Sequence, residues 1–262
     1  MDQMASLRDE LRRISVQLRL EDFEGQSMVP WFSYRMRLPK RPIPRLSGRP
    51  QISTKRLIVR PILLSDLDEL HKLRQRPELQ DHSRTRGRAD HDKEETRQHI
   101  QNLTDNDQNH WYFGGFIQST GELIAEGGLP DCNVMATSAS GWPEAEFFVK
   151  PEYWRQGYGT EFFNAVMDAW WDLPREWRRV QLIPSGMPNK EPGDVAVEGV
   201  VFQWEAENAV AEKFFTKVLE HRTVFVSGSA VSHDRREGRE DNVVTWKGLL
   251  TANPNITPAK AT

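Results

Sequence analysis

The chain has 262 residues and a single cysteine, Cys132. No internal disulfide can form, which agrees with a reducing compartment. Nothing around Cys132 marks it as a nucleophile: Asp131-Cys132-Asn133 lies in a polar stretch between expected strands and reads as a loop thiol. No apolar run approaches the eighteen residues of a spanning helix, so no membrane segment is expected. The start, Met1-Asp2-Gln3-Met4, has no basic stretch followed by an apolar one, so no secretory signal is expected and the location reads as intracellular, cytoplasmic or nuclear. The seven histidines are scattered without metal spacing, and Asp90-His91-Asp92 reads as a loop cluster without a second ligand group, so no metal is expected. Internal repeats and low-complexity tracts are also missing.

What is present suits a globular enzyme. Hydrophobic residues make up 37% of the chain, with nine Trp and twelve Phe, enough to build a real core. The net charge of −3 is unevenly spread: residues 30–60 hold seven Arg and two Lys with no acid, so the remainder is acidic. Pro39, Pro42, Pro44 and Pro50 interrupt this basic stretch. It reads as an extended arm on its own acidic domain, with a phosphate backbone or an acidic partner as the other uses of such charge. Upstream, Met4, Leu7, Leu11, Ile14 and Leu18 recur at helical spacing among arginines, which predicts an amphipathic helix over 4–20. Such a helix can pack on its own domain or serve docking and homodimer formation. The expected division is an N-terminal helix and basic Pro-rich arm over 1–50, a catalytic domain over 51–250, and a flexible tail over 251–262.

Within the domain, a strand is expected at Leu57–Pro61, then a helix started by the capping pair Ser65 and Asp68 and ending before Pro77. His82–Lys93 reads as a polar surface loop, followed by a helix near Glu94–Leu103. Trp111–Gln118 and Gly121–Gly127 form a hairpin, and Glu144–Lys150 is the next strand. Arg175–Glu198 carries Pro184, Pro188, Pro192, Gly186 and Gly193 and reads as an irregular insertion before a strand at Gly199–Glu205. Asn208 caps a helix whose expected buried face is Val210, Ala211, Phe214, Phe215, Val218 and Leu219. A final strand pair is expected at Val224–Val226 and Asn242–Trp246, with a loose tail from Thr251.

The most informative segment is Trp154-Arg155-Gln156-Gly157-Tyr158-Gly159-Thr160-Glu161, set between an apolar strand and a helix ending near Leu173-Pro174. Two glycines one residue apart leave backbone N–H groups uncovered, and the helix adds its free N-terminal donors and positive dipole end. That chemistry suits an anion, phosphate above all. The lysine of a P-loop and the third glycine of a dinucleotide fingerprint are missing, so the turn alone also fits a simple tight connection.

Thr54–Pro61, Ser65-Asp66-Leu67, Gly121–Gly128, Glu144–Glu161 and Glu207–Ala211 follow one another in an order that resembles the GNAT N-acetyltransferases, in the branch of the ribosomal-protein N-terminal acetyltransferases. The resemblance covers about residues 53–248. It implies an α/β (α+β) fold, with a mixed, mostly antiparallel central sheet flanked by helices, and acetyl-CoA as acyl donor to an amine acceptor. The acceptor could be a protein N-terminus, a lysine, a polyamine or a small amino compound, while nucleic acid is not expected as a partner. Donor contacts are implied at the strand end Phe148 and Val149, at the turn Arg155, Gln156, Gly157, Tyr158, Gly159 and Thr160, and at Asn208. Trp154 stands where the family usually has Gln or Arg, a variation frequent in this branch.

Acyl transfer to an amine also needs a group that takes the amine proton. Strand alternation puts Glu144, Glu146 and Phe148 on one face. Glu144 matches the glutamate common in the branch, whereas Glu146 stands where the branch more often has Gly. Two acids so close raise one pKa and favour a base, or they bind a cationic substrate or sit solvated at a strand edge. Glu126 on the neighbouring strand is a third candidate. Many family members carry a tyrosine seven residues after the asparagine, placed to protonate the departing thiolate; here that position is Phe215. The alternative function is a catalytically inactive CoA-binding module acting through its N-terminal helix and arm.

Overall fold

The computed structural model describes residues 32–83, 87–133, 142–182, 194–220, 224–234, 236, 239 and 242–255. The helix expected over 4–20 and most of the proline-rich part of the insertion lie outside the described residues. The frame is an eight-stranded sheet in the order β2-β3-β4-β5-β6-β8-β10-β9. Its strands are β2 (Ile52–Ser53), β3 (Leu57–Arg60), β4 (Trp111–Ile117), β5 (Leu123–Asp131), β6 (Glu144–Val149), β8 (Gly199–Glu205), β9 (Val224–His233) and β10 (Val243–Ala252). Every pairing is antiparallel except β6 with β8. Helices α1 (Leu67–Arg74), α2 (Pro77–Gln80), α3 (Lys93–Asp105), α4 (Tyr158–Trp171) and α5 (Ala209–Leu219) flank it. The expected fold class holds.

Burial assigns the faces. Phe162, Phe163, Val166 and Trp170 of α4 and Phe215 of α5 join Phe113, Ala125, Val200 and Phe202 in the largest core, on one side of the sheet. On the other side Leu67 and Leu70 of α1 and Ile100 and Leu103 of α3 pack on Tyr112, Phe116 and Leu123. The helical stripes are short but suffice, since burial of each such side chain contributes about 1.5–3 kcal/mol.

A second, two-stranded sheet pairs β1 (Phe32–Pro39) with β7 (Arg175–Leu182) in antiparallel register. Both strands depart from the expectation of an extended arm and an irregular insertion. β1 alternates buried Tyr34, Met36 and Leu38 with exposed Arg35 and Arg37, the period-two signature of a half-buried strand. The surrounding prolines hide that period. β7 has almost no apolar alternation, so its state is set by pairing with β1 and not by its own pattern. The buried side of this ribbon packs on Trp142, Val201 of β8 and Leu250 of β10. After β1 the arm does lie on the domain, but its arginines meet carbonyls: Arg41 donates to the oxygens of Gln108 (2.8 Å) and Cys132 (2.6 Å), and Arg49 to that of His110 (2.7 Å).

Other boundaries also move. Ser65 does not cap α1; a 3-10 turn at Leu64–Asp66 precedes it, and the Asp66 carboxylate accepts from the Leu63 N–H at 2.8 Å and from Arg60 at 2.7 and 2.8 Å. Val210 is 56% exposed and leaves the expected buried face of α5, where Phe215 and Leu219 are buried and Ala211, Phe214 and Val218 pack half-buried against the core. β10 runs through Ala252, and Thr251, Ala252 and Asn253 are buried, so the chain stays packed past residue 250. Cys132 is buried at 2% exposure, not a loop thiol in solvent, and burial pushes its thiol pKa up.

Candidate active site

The glycine turn is held in an unusual backbone state. Arg155 has φ 59° and Gly157 φ 85°, and Gly157 occupies the N-cap of α4 without any side chain to cap the helix. Glu161 is the first residue of α4 whose N–H reaches back along the chain, to the Gly157 oxygen at 3.0 Å, so the N–H groups of Tyr158, Gly159 and Thr160 lack an intrahelical acceptor. Arg56, just before β3, fastens the turn: it donates to the Gln156 oxygen at 2.9 Å, pairs with Glu161 at 2.8 Å and lies 3.9 Å over the Tyr158 ring. Burial works against the Glu161 charge, but hydrogen bonds from Thr54 and Arg56 outweigh it and hold the carboxyl below its ordinary range. A Cβ on Gly159 would come 3.2 Å from Phe214 and 3.5 Å from Val149, so the second glycine lets α4 approach α5 and the end of β6 closely.

Beside the turn the sheet opens. β6 and β8 are in register only at Glu144 with Val201 and Ala145 with Phe202. Beyond that the parallel strands part, leaving the β6 edge from Glu146 to Val149 unpaired toward β8. Phe148 and Val149 are half-buried there. Asn208, at the mouth of the same gap, accepts the Ala211 N–H at 2.9 Å through its side-chain oxygen and so caps α5 as expected.

β6 also lies between two covering layers, α1 with α3 over β4 and β5, and the ribbon over β8 and β10. Its side chains Glu144, Glu146 and Phe148 share the face between them. Glu144 is half-buried, opposite Val201 and Asp131. Glu146 faces Gly128, whose lack of a side chain lets Tyr112 reach across from β4 and donate to Glu146 at 3.2 Å. Gly128 is required: its φ is 134°, and a Cβ there would meet the Trp111 oxygen at 2.1 Å.

A buried charge network stands behind Glu146. Arg74 donates to Glu126 at 3.0 and 3.1 Å and to Asp90 at 3.0 Å, Asp90 accepts from Thr96 at 2.5 Å, and Thr96 meets His71 at 2.7 Å. Glu126 and Asp90 are shielded from solvent, with side chains 0% exposed. One guanidinium thus faces two buried carboxylates before Glu146 is counted. Desolvation, followed by the Glu126 charge, raises the Glu146 pKa to about 7. Burial raises the Glu126 pKa as well, although Arg74 opposes it, and pushes the Tyr112 phenol well above its ordinary value. Burial drives His99, 3.7 Å from Glu126, well below its ordinary value, so it stays neutral beside Arg74.

Arg74, Asp90, Thr96 and His71 were not anticipated. Asp90 in particular corrects the expectation of a solvated loop at 82–93. The available signal was the spacing of His71 and Arg74 on one helix; nothing local marks Asp90. Of the other tyrosines, Tyr153 donates to Glu122 at 2.6 Å, and that bond pushes its pKa up to about 12. Phe215, at the family's tyrosine position, is buried and stacks on Trp204 with ring centroids 5.3 Å apart. A cavity of about 650 Å³ between α1 and the entry to the turn is lined by Lys72, Arg76 and Lys150 with Glu69 and Glu122. Its lysines are already neutralised, Lys150 by Glu122 at 2.8 Å and Lys72 by Glu69 at 2.5 Å, and it contains none of the acids around Glu146.

A parting parallel strand pair, a glycine turn and an uncapped helix start make a scaffold suited to an anionic ligand. The family model "Acetyltransferase (GNAT) domain" matches residues 56–221, more than half of the chain, and the protein belongs to that family. No curated protein sequence matches it. Among solved structures, a ribosomal-protein-S5-alanine acetyltransferase from Vibrio fischeri has TM-score 0.54 and 13% identity, over 80% of this chain and all of that one. A GNAT acetyltransferase from Bacillus anthracis has TM-score 0.52 and 11% identity, over 78% of this chain and 99% of that one. A spermidine N-acetyltransferase chimera from Vibrio cholerae has TM-score 0.51 and 12% identity, over 76% and 96%. At these identities the likeness is one of fold. Among the described residues no helix is long and apolar enough to cross a membrane.

Proposed function

We propose that the protein is an acetyl-CoA-dependent N-acetyltransferase acting on a primary amine by direct transfer, with Glu146 as the base. The observation that carries the reading is the place of Glu146 on β6, where the strand begins to part from β8, with the Tyr112 hydroxyl donating to its carboxyl at 3.2 Å; desolvation raises that carboxyl to about 7. A base tuned near neutral pH gains most in proton transfer.

The residues fit the donor. The free N–H groups at the start of α4 suit a pyrophosphate, because no side chain competes for them and the helix dipole favours anions. The unpaired edge Glu146–Val149 offers backbone groups to an amide-bearing arm, and Asn208 stands at the far side of the gap. Acetyl-CoA supplies an activated acyl carbonyl and a thiolate leaving group. Glu146 takes a proton from the acceptor ammonium, directly or through one water, and the neutral amine then attacks the thioester carbonyl and expels the CoA thiolate, while Tyr112 donates a hydrogen bond to the carboxylate. Glu144, two residues away on the same face, adds negative charge that draws a cationic acceptor. With Phe215 in place of a tyrosine, the thiolate takes its proton from water.

The test is release of CoA thiol from acetyl-CoA across a panel of amines: peptide N-termini, lysine, polyamines and small amino compounds. Amine-dependent release is expected. Acetyl-CoA binding without turnover on any amine favours the inactive-module reading instead.

A further inference from the structure

The basic charge of residues 30–60 is only partly used by the domain. Arg56, Arg60, Arg74, Arg88, Arg175 and Arg236 each meet a carboxylate, and Arg41 and Arg49 are spent on carbonyls. On the β1–β7 ribbon the situation differs. Arg35, Arg37, Arg178 and Arg179 are exposed, and among the described residues none of them forms an ion pair.

Register shows how they are arrayed. Tyr34, Met36 and Leu38 face inward, so their neighbours in sequence face out: Arg35 opposite Arg179, Arg37 opposite Trp177, and Ser33 opposite Gln181. Among the described residues this outer face carries no acid; Glu176, opposite Leu38, and Arg178, opposite Met36, belong to the other face. Trp177 is 55% exposed, and the Arg35 guanidinium lies 5.6 Å from its ring centroid. Two features set this surface apart. Like charges directly opposite on paired strands destabilise the pair, as Arg35 and Arg179 do. The second feature is the indole of Trp177, left half in water beside these charges, where its ring face is open to a ligand.

We infer that the outer face of the β1–β7 ribbon binds single-stranded nucleic acid, its arginines on the phosphates and Trp177 stacked on a base. Arg35 and Arg37 stand two residues apart on one strand, about 6.6 Å, a separation near that of successive phosphates on an extended strand. A flat aromatic between guanidinium groups is the stacking-platform arrangement that serves any base. A run of acidic side chains would use the arginines, but carboxylates offer no flat ring to lay on Trp177. The outer face of the ribbon is turned away from the sheet that carries Glu146, so this binding does not depend on the acyl-transfer reading.

The experiment measures fluorescence anisotropy of labelled twelve-nucleotide oligouridylate and oligothymidylate against the full chain at 50 and 200 mM salt, with a twelve-residue polyglutamate as competitor. The two oligonucleotides separate an RNA preference from a DNA preference. Saturable binding is expected at 50 mM. Three or four phosphate contacts give a salt slope of about −2 to −3 and a weakening of about 15–60-fold at 200 mM. The triple variant Arg35→Gln/Arg37→Gln/Arg179→Gln loses most of the salt dependence. Trp177→Ala weakens binding about tenfold or more with the salt slope kept. Circular dichroism and thermal midpoints confirm that each variant is folded. Absence of saturable binding at 50 mM overturns the inference, as does polyglutamate competing equally while Trp177→Ala changes nothing.

Discussion

The two halves of the proposed catalytic region are built in opposite ways. The proposed donor turn, Arg155–Thr160, is one continuous stretch that offers backbone N–H groups, and it is braced by Arg56, just before β3. The acid side is assembled from α1, the loop before α3, β4, β5 and β6, which contribute Arg74, Asp90, Tyr112, Glu126 and Glu146. The turn depends on conformation and the acid side on a balance of buried charge. The turn should therefore fail by losing affinity, and the acid side by losing turnover or the fold itself.

The largest effect is expected at Glu146. Glu146→Gln should lower turnover by about 10²–10⁴-fold with acetyl-CoA affinity little changed. Transient kinetics with calorimetry separates the two, and an equal loss in both would erase the contrast. Next, Arg74→Met leaves Glu126 and Asp90 buried without their cation, so unfolding in urea should show a loss of about 3–5 kcal/mol. A loss under 1 kcal/mol would mean that the acids reach water or are protonated at little cost.

A smaller effect belongs to the turn. Gly157→Val forces a β-branched residue to φ 85°, where L-residues are disfavoured by about 1–2 kcal/mol, and covers donors whose charge-assisted bonds contribute about 1.5–3 kcal/mol each. Acetyl-CoA affinity should fall about ten- to a hundredfold in calorimetry, with the acid network intact. Unchanged affinity would remove the turn from donor binding.

These differences explain what could be read from the chain. The turn and the Asn208 cap are legible because their physics is local: two glycines, a helix start, and a side chain that reaches three residues ahead. Glu146 is legible as a candidate by alternation, but its tuning is not. The raised pKa comes from desolvation first and then from the Glu126 charge, which no spacing reveals. Asp90 looks like a loop acid until Arg74 and Thr96 close over it. Tyr112 reaches Glu146 only because Gly128 stands between them, a cross-strand relation invisible along the chain. The ribbon was hidden for another reason: β1 has the right period inside a proline-punctuated arm, and β7 takes its state from its partner.

The mildest consequence concerns stability. Glu146 has a folded pKa near 7, above the ordinary value of 4.5, so the folded state holds its proton over a range where the unfolded state has lost it. Stability therefore falls as pH rises from 4.5 through 7, and the penalty is fully present above 7. Glu146→Gln removes this term, so its thermal midpoint should exceed that of the wild type by a few degrees at pH 8. The two should converge toward pH 5, and a gap independent of pH would contradict the charge balance proposed for the acid side.

The most direct test of Glu146 as base is the pH dependence of kcat for acetyl transfer to a saturating amine, in the wild type and in Glu146→Gln. The wild type should show a rising limb with midpoint near 7, and the variant should lose that limb along with most of its rate. A variant that keeps the wild-type limb, lowered uniformly or not at all, would contradict the assignment.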